Sequence, residues 1–287
     1  MKRLLSSFTL LSALVLTSCN SQTDQENELM ITGSSTIAPV LSEIAKAYER
    51  QYPNSRIEVQ SGGSSKGLND VRQGTSNIGM VSRRLKPSES DVQSYRIALD
   101  GLAIIVNQSN PIEEINSLQV IDIYLGKITN WKQLGGMDKE ITVVSKAEGR
   151  STLEVFSKYF GISYRDIQAH VIIGDNQQGI QTVNGNTGAI GYVSIGAAEY
   201  EETHNNAAIK RLPLDGTAAT TENLINQSYP IARDLNLVLK GKPSNLEQQF
   251  IDFSKSTDVI KYYHSHSLIP ATLPTKISSN TEQSTVH

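Results

Sequence analysis

Three short runs of glycine with serine or threonine mark where this chain could hold an anion: Thr32-Gly33-Ser34-Ser35-Thr36, Ser61-Gly62-Gly63-Ser64-Ser65-Lys66-Gly67 and Glu148-Gly149-Arg150-Ser151-Thr152. Each follows a short apolar strand pattern and precedes residues at helical spacing; Ile37, Val40, Leu41, Ile44 and Tyr48 show that spacing after the first. A strand, then glycine and small hydroxyls, then a helix start gathers backbone N–H groups, O–H donors and the positive end of a helix dipole around one point. That is the chemistry of an oxyanion site. A single turn of this kind reads as a helix cap. Three of them, at the carboxyl ends of strands, read as converging walls, because that edge is where open α/β sheets bind ligands. The hydroxyls would come from Ser35, Thr36, Ser64, Ser65, Ser151 and Thr152. In the third turn Ser151 and Glu154 also fit an S-x-x-E capping box, which predicts a helix starting at Ser151.

The cations nearest these turns are Arg83, which follows Ser82 at a strand end, Arg150 inside the third turn, and Lys146 at the end of the strand before it. Arginine grips an oxyanion with two parallel N–H bonds, whereas lysine acts as a point charge. Glu148 lies between Lys146 and Arg150 and is expected to orient one of them, since a bare carboxylate touching a dianion would repel it. Arg84, Lys86 and Lys66 read as solvated surface.

Short apolar strands alternate with helical stretches almost throughout, which predicts an α/β architecture. Strands are expected over 28–31, 56–60, 78–82, 102–107, 141–145, 169–173, 189–193 and 235–239, with helices near 68–73, 121–125, 153–159, 180–183 and 246–263. Roughly 250 folded residues suit two lobes rather than one. The stretch 101–107 is the candidate first crossing between lobes, with a return between Tyr192 and Pro213. Lobe I is therefore expected from 29–105 and about 195–270, lobe II from 106–195, and the ligand in the cleft between them.

The ends belong to other tasks. Lys2 and Arg3 precede an apolar run over 4–16 that is too short to span a bilayer, followed by Leu16-Thr17-Ser18-Cys19. Residues 1–18 read as a signal peptide of the lipoprotein kind, with Cys19, the only cysteine in the chain, as the lipidated N-terminus. Residues 19–28 read as a tether and 271–287 as a disordered tail. The protein is expected to be exported and lipid-anchored, facing the periplasm or the cell surface. Against 29 acidic residues there are 26 Lys and Arg, so loss of Lys2 and Arg3 takes the net charge from −3 to −5. So acidic a chain is no general nucleic-acid binder, and it must hold an anion locally against its own field. No His/Cys cluster has metal-ligand spacing; His170, His204, His264 and His266 are scattered. No cofactor is expected, and the chain is expected to act as a monomer. An enzyme is the rival class: Gly63-Ser64-Ser65-Lys66-Gly67 fits the G-x-S-x-G elbow of α/β-hydrolases, with Ser65 as nucleophile.

Beyond these patterns the chain resembles the phosphate-binding receptors of bacterial phosphate ABC importers, over nearly all of 29–270. The resemblance rests on the first turn with Pro39, on Gly63-Ser64-Ser65, Asn77-Ile78-Gly79, Asp122-Ile123-Tyr124-Leu125-Gly126-Lys127-Ile128 with Trp131, the third turn, and Gly188-Ala189-Ile190-Gly191-Tyr192-Val193. It implies a two-lobed, type II periplasmic binding protein fold that closes on one phosphate and delivers it to a membrane permease. Position by position it implies contacts from Thr36 and the amide of Ile37, from Ser64, and from Ser151 and Thr152. Three positions depart from the best-studied members: Ser82 stands where they carry an aspartate that accepts the ligand's proton and excludes sulfate, Lys146 where they carry an arginine, and Arg150 where they carry a serine. The expectation is a phosphate site held chiefly by Arg83, Arg150 and the three helix starts. The alternatives are a receptor for another oxyanion such as sulfate, or one used for sensing or capture rather than import.

Overall fold

The computed structural model describes residues 27–272; the expected leader 1–18, Cys19 and nearly all of the tether and tail lie outside that span. The first half of the chain runs β1 (Glu28–Gly33), α1 (Ala38–Gln51), β2 (Arg56–Ser61), α2 (Ser64–Gln73), β3 (Ile78–Val81), β4 (Gln93–Asn107), α3 (Ser117–Tyr124), β5 (Thr142–Lys146) and α4 (Ser151–Phe160). It continues through β6 (Val171–Ile173), α5 (Asn176–Asn184), β7 (Ala189–Ser194), α6 (Ile195–His204), β8 (Ile209–Leu212), α7 (Thr221–Ile225), β9 (Ala232–Leu239), α8 (Asn245–Ser254), α9 (Ile260–Ser265) and β10 (Ile269–Pro270). Among the described residues no helix is long and apolar enough to cross a membrane.

The strands line up in the order β2-β1-β3-β9-β4-β7-β5-β6, with β8 and β10 also paired to β4. β4 joins the halves: residues 93–101 pair antiparallel with β9, and 102–107 with β7 and β8. Only 102–107 was expected as strand. The preceding Gln93-Ser94-Tyr95-Arg96 is mostly exposed, and its β9 partners come more than a hundred residues later. The 246–263 helix is instead two helices. α8 ends where the Ser254 hydroxyl donates back to Phe250 O (2.8 Å), and the Tyr263 hydroxyl ties the break by donating to Ser254 O (2.7 Å).

Buried apolar side chains form two main clusters, one taking in Ile97 and Ala98 of β4 and the other Leu99 and residues 102–106. One contains Leu29, Ile44, Ile78, Leu237 and Phe250. The other contains Ile104, Trp131, Phe156, Tyr192, Leu212 and Ile231. The change of cluster on the return comes between Ile231 and Leu235, later than the return near 195, because β8 pairs with β4 and residues up to Ile231 stay on the second cluster.

Two glycines make the site geometry. Gly33 closes β1 at φ +135°, and a Cβ there would lie 2.4 Å from Met80 O, so only glycine lets β1 turn beside β3. Gly63 opens α2 at φ +94°, with the Arg150 side chain laid across the face a Cβ would occupy.

Candidate functional site

The three turns meet. The amides of Gly62 and Gly63 both donate to Gly33 O (2.8 and 2.7 Å), which joins the first turn to the second. The amide of Ser65 donates to Gly149 O (3.1 Å), which joins the second to the third across the cleft. The Ser82 amide donates to Ser64 Oγ (3.1 Å), so the end of β3 belongs to the same cluster. Thr36, Ser64, Ser82, Ser151 and Thr152 are buried there, and Ser35 is half-buried.

The capping box is not formed. α4 begins with Arg150 as N-cap and no side-chain cap bond, and Glu154 is drawn into ion pairs instead. Ser151, 2% exposed, is therefore left with a hydroxyl that has no partner. The Ser151 and Thr152 amides open the helix and have no acceptor within it. The first turn differs. The Thr36 amide donates to Ser34 Oγ and the Ile37 amide to Ser34 O, both at 3.2 Å, so the Ile37 amide already has a protein partner.

At the centre lies an arginine that the sequence reading passed over. Arg233, the second residue of β9, stands directly opposite Asp100 of β4. Its Nε and one terminal nitrogen donate to Asp100 Oδ2 (3.0 and 2.7 Å), with both side chains almost wholly buried. The guanidinium also donates to Thr152 Oγ1 (2.9 Å) and Thr36 Oγ1 (3.0 Å), one hydroxyl from each side of the cleft. Thr36 Oγ1 accepts again from Asn176 Nδ2 (3.1 Å), and Asn176 Oδ1 accepts from Lys146 Nζ (3.0 Å). A threonine oxygen that accepts two N–H bonds has its own proton left to donate outward.

Lys146 Nζ donates also to Asp175 O (2.7 Å). Burial first, then the positive charge of Arg233, push its amine well below the ordinary lysine value; Asp175 opposes this and Arg150 adds a smaller push in the same direction as Arg233. The end of β5 is held by Tyr192, whose hydroxyl lies 2.9 Å from Ser145 Oγ and accepts from the Lys146 amide (3.2 Å), while its ring stacks on Phe156 of α4 at 4.0 Å. Arg150 is half-buried, lies against Gly63 and Gly174, and has no carboxylate partner among the described residues.

Two expected roles change. The Arg83 terminal nitrogens donate to both oxygens of Glu89 (2.7 and 2.8 Å), and its Nε lies 3.1 Å from Glu154 Oε2. Lys86 adds a second ion pair to Glu154 (2.6 Å), so Arg83 and Lys86 tie the end of the β3 segment to α4 across the cleft. Glu148 is exposed and accepts from the Tyr164 hydroxyl (3.0 Å) rather than orienting Lys146 or Arg150. Among the described residues no histidine bonds to Ser65: His170 accepts from the Val143 amide, His204 lies against the Tyr200 carbonyl and His266 against Glu43. Two cavities reach the cluster. One of about 910 Å³ touches Arg233, Arg83, Glu154 and Tyr229, and one of about 520 Å³ touches Ser35, Thr36 and Asn176.

Burial opposes the charge on Arg83, but Glu89 and Glu154 outweigh it and raise its value; Glu89, despite its own burial, is held below its ordinary value by Arg83 and the Lys86 amide. The contribution of Glu89 is therefore complete at neutral pH and is lost as pH falls through its lowered folded-state value. Glu89→Ala leaves Arg83 buried without its main partner, and urea unfolding at neutral pH is expected to show a loss of about 3–5 kcal/mol. The gap to the parent chain should narrow as the buffer is acidified. A gap that stayed constant would show that the pair is not what stabilises this segment.

The arrangement offers buried O–H and N–H donors, the Lys146 amine among them, with one uncompensated cation, Arg150, which suits a small anion with many acceptor oxygens. The sequence family described as the PBP superfamily domain matches residues 20–258. Among solved structures, a putative phosphate ABC transporter substrate-binding protein with bound phosphate from Clostridium perfringens superposes with a TM-score of 0.79 at 34% identity, covering 85% of this chain and 99% of that one. An ABC-type phosphate transport receptor from Vibrio cholerae gives 0.69 at 30% identity, covering 84% and 99%. The phosphate-binding protein PstS of Bacillus subtilis (strain 168) is 28% identical over 249 residues, 85% of this chain and 80% of that protein. With this span of the family match, and with a fold shared at these identities, the chain belongs to the PBP superfamily, among the phosphate-binding receptors of ABC transporters.

Proposed function

We propose that this protein captures inorganic phosphate between its two lobes and delivers it to an ABC permease, from a position outside the membrane where Cys19 carries the lipid anchor. The observation that carries this reading is the buried, unpartnered Ser151 hydroxyl at the start of α4, beside Arg150. A buried polar group without a partner is costly, and an anion seated there would accept from it. The ligand set we assign is Thr36, Ser64, Ser151, Thr152 and Arg150, with Ser35 and Ser82 at the edge and Arg233, Asn176 and Lys146 holding the donors in place. We place the lobe boundary at the change of apolar cluster, with 99–231 as lobe II. The names of the relatives support phosphate, and the donor-rich chemistry of the cleft agrees with it.

The bonds from Ser65 to Gly149, Asn176 to Thr36 and Arg233 to Thr152 belong to a closed cleft. A ligand that binds only this form stabilises it by about 2.7 kcal/mol at a concentration one hundred times its Kd. Phosphate is therefore expected to raise the Tm of the chain from Asn20 onward in a concentration-dependent way, and calorimetry should give one phosphate per chain at micromolar or tighter Kd. An unchanged Tm at millimolar phosphate would contradict the reading. Deleting the protein and measuring phosphate uptake separates import from sensing or capture.

Ser82 favours a second reading. Its hydroxyl lies 3.5 Å from Ser64 Oγ, where a carboxylate would repel a fully ionised anion, so sulfate is the competitor to titrate. Binding of sulfate as tight as that of phosphate would make this a general oxyanion receptor.

A further inference from the structure

The cations of the cleft are unequally compensated. Arg233 is matched by Asp100 at 2.7 and 3.0 Å. Arg150 has no carboxylate partner among the described residues, and Lys146, 4% exposed, bonds only neutral oxygens: Asp175 O at 2.7 Å and Asn176 Oδ1 at 3.0 Å. The other titratable groups around Lys146 do not supply its missing counter-charge at contact distance. The Asp175 carboxylate accepts from the Gln178 amide (2.8 Å) as the cap of α5, and Glu148 is turned to Tyr164. The Tyr192 hydroxyl, pushed up to about 12 by burial, is neutral near physiological pH. A neutral amine donates two N–H bonds, and both are satisfied by the oxygens present; the third N–H of an ammonium group needs one more acceptor.

We propose that Lys146 gains a proton when a dianion enters the cleft, so that Arg150 and a charged Lys146 together face two negative charges. The inference rests on the phosphate reading and goes beyond it by naming what sets the preferred charge of the ligand. Without an anion, burial and the two arginines disfavour the charged amine; an anion reverses that balance by supplying both charge and an acceptor. The proton has two sources. A phosphate dianion requires one from solvent, which forms the third N–H bond of Lys146. A phosphate monoanion brings its own, which passes from the phosphate oxygen to Nζ with none drawn from solvent. Sulfate carries no such proton near neutrality and always needs the solvent's. Lys146 would thus favour an anion that arrives with a proton, without any carboxylate to receive it.

The test is calorimetry of the chain from Asn20 onward, which retains every described residue, with inorganic phosphate at about pH 8 and about pH 9 in buffers of low and high ionisation enthalpy. Phosphate in solution is then almost wholly the dianion. The expected result is a net proton uptake that rises toward one per phosphate. In Lys146→Arg, which stays charged, phosphate should bind with no uptake; in Lys146→Met it should bind more weakly, also with none. Sulfate affinity of the parent chain should fall by up to tenfold per pH unit in this range, and that fall should vanish in Lys146→Arg. Phosphate binding without buffer-dependent heat, or the same uptake in Lys146→Met or Lys146→Arg, would overturn the proposal while leaving the phosphate reading intact. No phosphate binding by the parent chain would overturn both.

Discussion

Replacing Arg233 by methionine is expected to weaken phosphate binding by one to two orders of magnitude and to destabilise the fold at the same time. The stability loss follows from Asp100, which would be left buried and charged opposite a thioether; breaking such a pair costs about 3–5 kcal/mol. The binding loss has a different origin. Arg233 donates to both Thr36 Oγ1 and Thr152 Oγ1 and so commits both hydroxyl protons to the cleft. Without it the two hydroxyls can rotate and satisfy one another or water, and a lost oriented bond to a charged ligand is worth about 1.5–3 kcal/mol. The double variant Asp100→Asn with Arg233→Gln separates the two effects. Its amides can pair across β4 and β9, so most stability should return, measured by urea unfolding, whereas phosphate affinity should not. Recovery of both would show that Arg233 serves the fold alone.

Arg150→Met is expected to do the reverse. Arg150 has no carboxylate partner among the described residues and lies on the glycine surfaces of Gly63 and Gly174, so its loss should change unfolding free energy by no more than about 0.5 kcal/mol. Removing one member of a buried charge pair formed with the ligand costs about 2–5 kcal/mol, equivalent to roughly thirty- to several-thousand-fold in Kd. Arg83→Met supplies the contrast. Its guanidinium is held by Glu89 and Glu154, so that variant should lose stability first, and binding only through the weakened tie between α4 and the β3 segment. If Arg83→Met reduced affinity more than Arg150→Met in stably folded protein, the roles assigned to the two arginines would be exchanged.

What could be read from the chain beforehand was local. Strand, glycine, hydroxyl and helix follow one another within a few residues, so the turns at Gly33, Gly63 and Gly149 were visible as patterns, and their meeting followed from the strand edge they share. The centre of the site was not local. Asp100 and Arg233 are cross-strand partners 133 residues apart; Asp100 is a lone charge in an apolar run, and Arg233 is followed at once by Asp234, so nothing nearby marks the two as a pair. Asn176 likewise reaches Thr36 over 140 positions. Arg83 stands at a strand end beside the turns, a position that suggests the ligand, but Glu89 lies only six residues on and takes both terminal nitrogens. Glu154 illustrates a competition between local and distant partners. S-x-x-E is a sound helix-start pattern, but Arg83 and Lys86 offer that carboxylate charges from across the cleft, and Ser151 keeps its hydroxyl for the site.

The lobe boundary followed the same logic. A crossing strand was legible from the run of apolar residues after Gly101, but its polar first half needed β9 to become a strand. The return is hard to read because α6, β8 and α7 lack the apolar periodicity of the earlier elements, while their few buried residues join the second cluster.

The most direct measurement is a crystal structure of the chain from Asn20 onward grown with phosphate. The expected result is one tetrahedral anion between α2 and α4, accepting from Ser64, Thr36, Ser151 and Thr152 and gripped by Arg150, with Arg83 still paired to Glu89. A phosphate bound outside this cluster, or one that left the Ser151 hydroxyl unpartnered, would contradict the account.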